Sequence, residues 1–319
     1  MDEITRLLLS DMPLAISESG YRYLLAIAYP KAYQSQMSDI NIMQARVREE
    51  QSMPQPYCKQ TEAALASIHI SAYGVNLTAS FSDSDNVPEG SVAYHRIFGT
   101  IIADSRWRFS TKQLEANLLA AEANPRITAH LLHINSPGGE AYYLDRLGET
   151  MDTLRKPVIA VIEEACSAAY HIACHASAIY ATTQFDLVGC IGTMVSFYDF
   201  SEFFTKNGIR RIEAKADQSD LKNKTVEELI DGKPRKFIDT VLNPMNEAFV
   251  KTVRSHRAAL AKVPDEAPLL RGETFFTDEA KVLGLIDGRM TLAEAAAEAA
   301  RLGAERIARE RLLNQIYEA

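Results

Sequence analysis

Two glycines and one serine carry the chemical signal of this 319-residue chain. The run Ile134-Asn135-Ser136-Pro137-Gly138-Gly139 closes an apolar stretch, and Ser167 follows further on in Glu164-Ala165-Cys166-Ser167-Ala168-Ala169-Tyr170. A glycine pair after a strand offers backbone N–H groups unshielded by side chains. A serine opening an Ala-rich helix offers a hydroxyl. A hydroxyl can attack a carbonyl and bare N–H groups can hold the resulting oxyanion, so the two motifs make half of an acyl-transfer site.

The other half is a base, because a serine hydroxyl is a weak nucleophile until its proton is taken. Histidine is the usual choice, yet His171 and His175 lie on the same predicted helix as Ser167, and the next histidine is His256. Side chains on one helix point along it and not back across a cleft to its first residue. Lysine is the other candidate, provided that burial disfavours its ammonium form. The polar loop Asp217-Gln218-Ser219-Asp220-Leu221-Lys222-Asn223-Lys224 supplies Lys222, with Lys215 and Lys224 as competitors.

A bland reading stands beside each of these. A strand-to-helix turn alone explains a glycine pair in many α/β proteins, and most lysines in such a loop are solvated. The i, i+4 pair His171 and His175 shares a helix face, but it lacks the acid of an HExxH motif and a third ligand nearby. No metal is expected, and the two rings are read as surface or interface groups. Cys166 has no neighbouring positive charge to activate it, so it is expected to pack as a small apolar residue.

Parallel strands position such motifs best, since loops at their carboxyl ends converge on one side of the sheet. Periodicity predicts strands over 92–102, 129–135, 158–163, 178–181 and 185–196, and helices over 110–123, 142–154, 167–177 and 198–207. A short strand follows over 209–214, then a long helical region over 225–257 broken at Gly232 and Pro234, and a helical tail over 292–318. This alternation implies right-handed crossovers and a mostly parallel sheet covered by helices. The polar run Ser82 to Gly90 reads as a linker, which sets the expected divisions at 1–89, 90–291 and 292–319.

Composition narrows the function. With 47% hydrophobic and 24% charged residues the chain can bury an ample core, and its net charge of −8 argues against a nucleic-acid partner. Four cysteines without CxxC spacing suit a reducing compartment. Met1 to Arg6 lack the basic segment of a signal peptide, and no apolar run reaches membrane-span length, so a soluble cytoplasmic protein is expected.

From Gly99 to Asp287 the chain resembles the S49 serine peptidases, the signal peptide peptidase A (protease IV) group with its phage and prophage relatives, within the Clp-protease and crotonase-like superfamily. Three patterns carry the resemblance: Ile134 to Gly139; Cys166 to Ala173 followed by Gly189-Cys190-Ile191-Gly192; and Gly272-Glu273-Thr274-Phe275 with Ala280 and Gly284-Leu285-Ile286-Asp287. It implies a Clp-protease/crotonase-like α/β fold with an N-terminal extension and a C-terminal helix. It makes Ser167 the nucleophile, Lys222 the base of a Ser-Lys dyad on the Ser-x-x-Lys-Asn form, and Gly138 an oxyanion donor helped by Gly139 or Ala168. Two departures stand out: Ala168-Ala169 replaces the usual Gly-Gly, and the lysine loop lacks the Gly-x-x-Lys form of the bacterial enzymes.

The function so implied is a cofactor-free, homo-oligomeric endopeptidase cutting extended protein segments. Capsid and scaffold proteins of a phage or prophage prohead are the expected substrates, in the host cytoplasm or the prohead. A general signal-peptide-fragment peptidase, an inactive S49-like assembly protein and a crotonase-type acyl-CoA enzyme are the alternatives.

Overall fold

The computed structural model describes residues 14–16, 70–72, 75–78, 87–105, 109–196, 199, 201–206, 208 and 212–317. Cys58, Trp107 and most of the segment before residue 87 lie outside the described residues, as does 209–211 of the strand expected at 209–214.

In chain order the strands are β1 (Leu14–Ile16), β2 (Ile70–Ala72), β3 (Val75–Thr78), β4 (Ser91–Phe98), β5 (Ile127–Ser136), β6 (Gly138–Glu140), β7 (Val158–Cys166), β8 (Ala178–Ala181), β9 (Leu187–Gly189), β10 (Thr274–Phe276) and β11 (Gly288–Arg289). The helices are α1 (Thr111–Ala123), α2 (Leu144–Asp152), α3 (Ala168–Ala173), α4 (Ser201–Lys206), α5 (Lys224–Ile230), α6 (Asn243–His256), α7 (Thr277–Val282) and α8 (Leu292–Tyr317). A helical turn Arg235–Phe237 and a π segment Ile238–Leu242 run directly into α6. The main sheet has the order β10-β9-β7-β5-β4-β3-β2, with β8 on β7 and β11 on β8. Pairings from β3 through β5 and β7 to β8 and β9 are parallel, as the strand and helix alternation requires.

β5 shows why the sheet is central. Its run Ile-Thr-Ala-His-Leu-Leu-His-Ile is buried on both faces, the pattern of a strand covered by helices on each side. Leu132 and Ile134 face a core built with Leu114 and Leu118 of α1, Leu147 and Met151 of α2, and Tyr170 of α3. Ala129 and Leu131, one residue out of phase, face Ala295, Ala296 and Ala299 of α8. The first turns of the tail helix are therefore part of this core. The sheet likewise continues across residue 90 through the pairing of β3 with β4.

Local chemistry sets the element ends. Ser110 caps α1, its Oγ accepting from the Gln113 N–H at 3.3 Å. Between β8 and β9 the Asp186 carboxylate accepts from the N–H groups of Thr182 and Thr183 at 2.6 and 2.8 Å, closing a tight turn. That turn lets one edge of β7 pair first with β8 at Ile159–Ile162 and then with β9 at Glu164–Cys166. The expected single strand over 185–196 is thus only Leu187–Gly189, and the helix expected over 167–177 stops at Ala173.

Candidate active site

β7 ends at Cys166 and α3 begins at Ala168, so one residue must make the corner. That residue is Ser167, with φ 54° and ψ −119°. An L-residue in this region is strained by about 1–3 kcal/mol, and such residues persist where their surroundings over-determine them. Here the Ser167 N–H donates to the Gly189 carbonyl at 2.8 Å, and its own carbonyl accepts from the His171 N–H at 3.0 Å. Gly189 has φ 115°, and a Cβ there would lie 2.7 Å from the carbonyl oxygen of Glu273, the residue before β10. Only glycine lets β9 reach both the serine corner and β10. The Ser167 hydroxyl does not cap α3, which leaves it free for chemistry.

The glycine pair comes to the same place. Asn135 stands opposite Glu164 and Ser136 opposite Ala165, so β5 and β7 end side by side and both motifs follow at the same end of the sheet. β6 packs against α3. Ser136, to which the sequence assigns no role, fixes this turn: its Oγ donates to the Gly99 carbonyl at 2.6 Å and accepts from the Gly138 N–H at 3.2 Å. On the inner edge of β6 the Ile101 N–H donates to the Gly138 carbonyl and the Glu140 N–H to the Ile101 carbonyl, both at 2.9 Å. A Cβ on Gly139 would lie 2.1 Å from the Ile101 oxygen, so this glycine is required by close backbone approach. Strand alternation then turns the Gly139 N–H and carbonyl to the opposite, outer edge.

Ala168 is the first residue of α3, where N–H groups have no intrahelical acceptor. The Ala168 and Ala169 methyls are fully buried in the core, so the bulk that replaces the usual glycines is taken up inside the protein. Gly138 and Gly139 of β6 thus pack against the helix that Ala168 opens directly after the Ser167 corner.

Lys222 is not brought with them. It lies in an exposed turn before α5, its N–H donating to the Ser219 carbonyl at 3.0 Å, and among the described residues no hydrogen bond or ion pair joins its side chain to any group. α5 has no buried residue. Lys215 bonds Glu227 and lies 3.2 Å from Glu213. The Glu227 hydrogen bond first, and the charge of both acids, raise its pKa, the wrong direction for a base. Lys224 is exposed at the start of α5.

The histidines differ from expectation. The His171 and His175 side chains are only 5% and 3% exposed, buried between α2, α3 and α6 and not at the surface. Burial, with the neighbouring His175 and His256, pushes His171 down to about 3. His175 Nδ1 and His256 Nε2 both sit on Asp152 Oδ1, at 2.7 and 2.8 Å. Cys174, His175 and His256 each offer a ligand atom within 4.8 Å of the others. Yet the Cys174 thiol donates to the His171 carbonyl at 3.1 Å, and burial raises its pKa, disfavouring the thiolate a metal would need. His175 Nε2 has no hydrogen-bond partner among the described residues, but a Cβ on Gly148 would lie 2.7 Å from it, so the α2 backbone closes that side. The group is a hydrogen-bonded cluster as it stands. Cys166 and Cys174 are buried free thiols, and burial raises the pKa of Cys166, which packs.

A network that periodicity did not single out braces the strands beneath the site. The Tyr94 hydroxyl meets His133 Nδ1 at 2.7 Å, His133 Nε2 meets Glu163 at 3.0 Å, and the Asn135 amide donates to Glu163 at 2.6 Å. It ties β4, β5 and β7 together just below the glycine turn. The signal was present as polar residues inside otherwise apolar strands.

Residues 152–305 match the profile of Peptidase family S49. The matched segment is similar to the S49 peptidases and takes in a little under half of the chain. The match includes Ser167 and Lys222 and begins after Gly138 and Gly139. The chain is also 27% identical over 174 residues to a Methanocaldococcus jannaschii protein named "Putative protease MJ0651", covering 52% of this chain and 53% of that protein. It thus spans about half the length of this curated relative. Among solved structures, a ClpP1 mutant from Listeria monocytogenes matches with 13% identity and a TM-score of 0.37, over 64% of this chain and 94% of that one. An enoyl-CoA hydratase/isomerase family member matches with 17% identity and a TM-score of 0.37, over 69% and 74%. The parallel α/β fold with covering helices stands on the strand order itself. Among the described residues no helix is long and apolar enough to cross a membrane.

Proposed function

We propose that the chain is a serine endopeptidase whose nucleophile is Ser167. The strained corner between β7 and α3 carries this reading: it holds the hydroxyl at the carboxyl end of a parallel strand, at the start of the helix against which β6 packs, inside the segment that matches family S49. In the mechanism we propose, Ser167 Oγ attacks the scissile carbonyl as Lys222 Nζ takes its proton. The oxyanion lies between the N–H groups of Gly138 and Ala168, with Gly139 supporting the same strand. Collapse releases the amine, which receives the proton from Lys222, and water then hydrolyses the acyl-enzyme by the reverse relay.

The catalytic groups themselves must make two movements. The Gly138 N–H must exchange its Ser136 Oγ partner for the oxyanion, and the Lys222 turn must close on Ser167. An extended substrate fits the outer edge of β6 by strand addition, which suits protein segments without fixed structure. Capsid and scaffold proteins of a phage or prophage prohead, cut by a homo-oligomer of this chain, are the substrates we propose on the motifs of the sequence.

The test is labelling with a serine-directed fluorophosphonate together with cleavage of casein. The wild type is labelled and cleaves, and Ser167→Ala loses both, by about 10⁴-fold or more in turnover. Cleavage surviving in Ser167→Ala refutes the reading. Lys222→Ala loses activity while Lys215→Ala and Lys224→Ala keep it; the opposite pattern reassigns the base. A lysine base also makes activity fall toward acidic pH. The exposed position of Lys222 favours a second reading, an inactive assembly protein of this fold, which stands if neither labelling nor cleavage occurs.

A further inference from the structure

The outer edge of β6 is already occupied. β1, far away in sequence, pairs with it antiparallel in the register Leu14 to Glu140, Ala15 to Gly139 and Ile16 to Gly138. The inner edge of β6 bonds Ile101 through the Gly138 carbonyl and the Glu140 N–H, so only the Gly139 N–H and carbonyl remain to hold β1. In an antiparallel ladder they do so through a single residue, Ala15, which both donates and accepts. Running antiparallel to β6, the segment brings Ile16 opposite Gly138, the proposed oxyanion donor. These two strands form a sheet of their own, so β1 is not an extension of the main sheet but an addition to this one three-residue edge.

We infer that Leu14–Ile16 is an internal occupant of the substrate edge, a segment of the chain that competes with any outside peptide for Gly139. The inference rests on the peptidase reading for what the edge is for, and on the β1 and β6 register for who sits there. Tethered to the same chain, the segment acts at an effective concentration that an outside peptide must exceed. It therefore raises KM and leaves kcat alone, because a bound outside peptide meets the same Ser167.

Ala15→Pro in the full chain tests it. Proline removes the N–H that Gly139 accepts and leaves the catalytic elements untouched. Two measurements are made on wild type and variant: amide hydrogen exchange at Gly139, and KM and kcat for an unstructured peptide substrate. The expected result is Gly139 exchange at least about tenfold faster in the variant, as for an amide released from a ladder. KM should fall by roughly 3- to 10-fold with kcat unchanged, as for loss of a weak tethered competitor. Equal Gly139 exchange in the two proteins overturns the inference, and so does an unchanged KM when the amide has become exposed. If neither protein cleaves but Gly139 is uncovered only in the variant, the occupancy stands and the peptidase reading is what fails.

Discussion

If Ser167 is held in a strained conformation by its surroundings, replacing it with glycine should show that strain as stability. At φ 54° and ψ −119° an L-residue is strained, whereas the mirror conformation is ordinary extended backbone, so glycine occupies the position freely. Ser167→Ala keeps the Cβ and the strain, and Ser167→Gly removes both. At an unstrained buried position, alanine to glycine destabilises by about 1.5 kcal/mol, from added chain entropy and the lost methyl burial. Relief of about 2 kcal/mol of strain reverses that sign and leaves Ser167→Gly about 0.5 kcal/mol more stable than Ser167→Ala. Ala169→Gly is the matched control: it is fully buried in the same helix and is not among the residues with positive φ. The assay is thermal or urea unfolding of Ser167→Ala, Ser167→Gly, Ala169→Gly and the wild type. The alanine-to-glycine step at 167 and the step at 169 should differ by about 2 kcal/mol, or about 4–8 °C in midpoint for a domain of this size. If both steps destabilise equally, the corner holds no strain and the structural argument for Ser167 falls with it.

Gly139→Ala should destabilise by about 3 kcal/mol, since its Cβ would sit 2.1 Å from the Ile101 oxygen and force apart two backbone hydrogen bonds. Gly192→Ala meets nothing closer than 3.7 Å and should stay within about 0.5 kcal/mol of wild type; a similar loss at both positions in urea unfolding would contradict the packing described for β6. A third expectation concerns acid. Burial alone would raise the Glu122 pKa, but the His130 ring and the Arg155 N–H, each 3.2 Å away, outweigh it and bring it down to about 2. A folded pKa below the unfolded one stabilises at pH above the unfolded value, and this contribution fades as pH falls through about 4.5 toward 2. After solvent screening it is worth about 2 kcal/mol, so Glu122→Gln should flatten the acid limb of stability measured between pH 5 and 2; an unchanged limb would refute the assignment.

The parts of the site that were legible in the sequence are those fixed by local rules. Ser110 announced the start of α1 by its residue type, and the apolar runs of β5 and β7 announced buried parallel strands whose carboxyl ends hold Gly138 and Ser167. The strand expected over 158–163 runs on to Cys166, and the following helix stops after six residues where nothing in Ala-Ala-Tyr-His-Ile-Ala marks a stop in the sequence. Burial of His171 and His175 was invisible because it depends on α6, whose approach to α3 is a tertiary event. The same holds for Gly139, which looks like a donor in sequence and is in the structure a point of close approach to Ile101, 38 residues earlier.

Unequal packing separates the two halves of the proposed dyad. Ser167 is fixed by a carbonyl from β9, by the helix that follows and by a core that encloses Ala168 and Ala169. Among the described residues Lys222 is held by one turn hydrogen bond, on a segment between Ile212 and Ile230 that buries no side chain. A nucleophile needs a rigid seat because strain and geometry must be maintained, and the core supplies it. Desolvation is what disfavours an ammonium charge, so a lysine base calls for a partner that excludes water from its turn. A peptide laid along β6, or a second copy of the chain, is a partner of the right kind to do so. Binding and base activation would then be one event, and the resting chain would hold a nucleophile without a base.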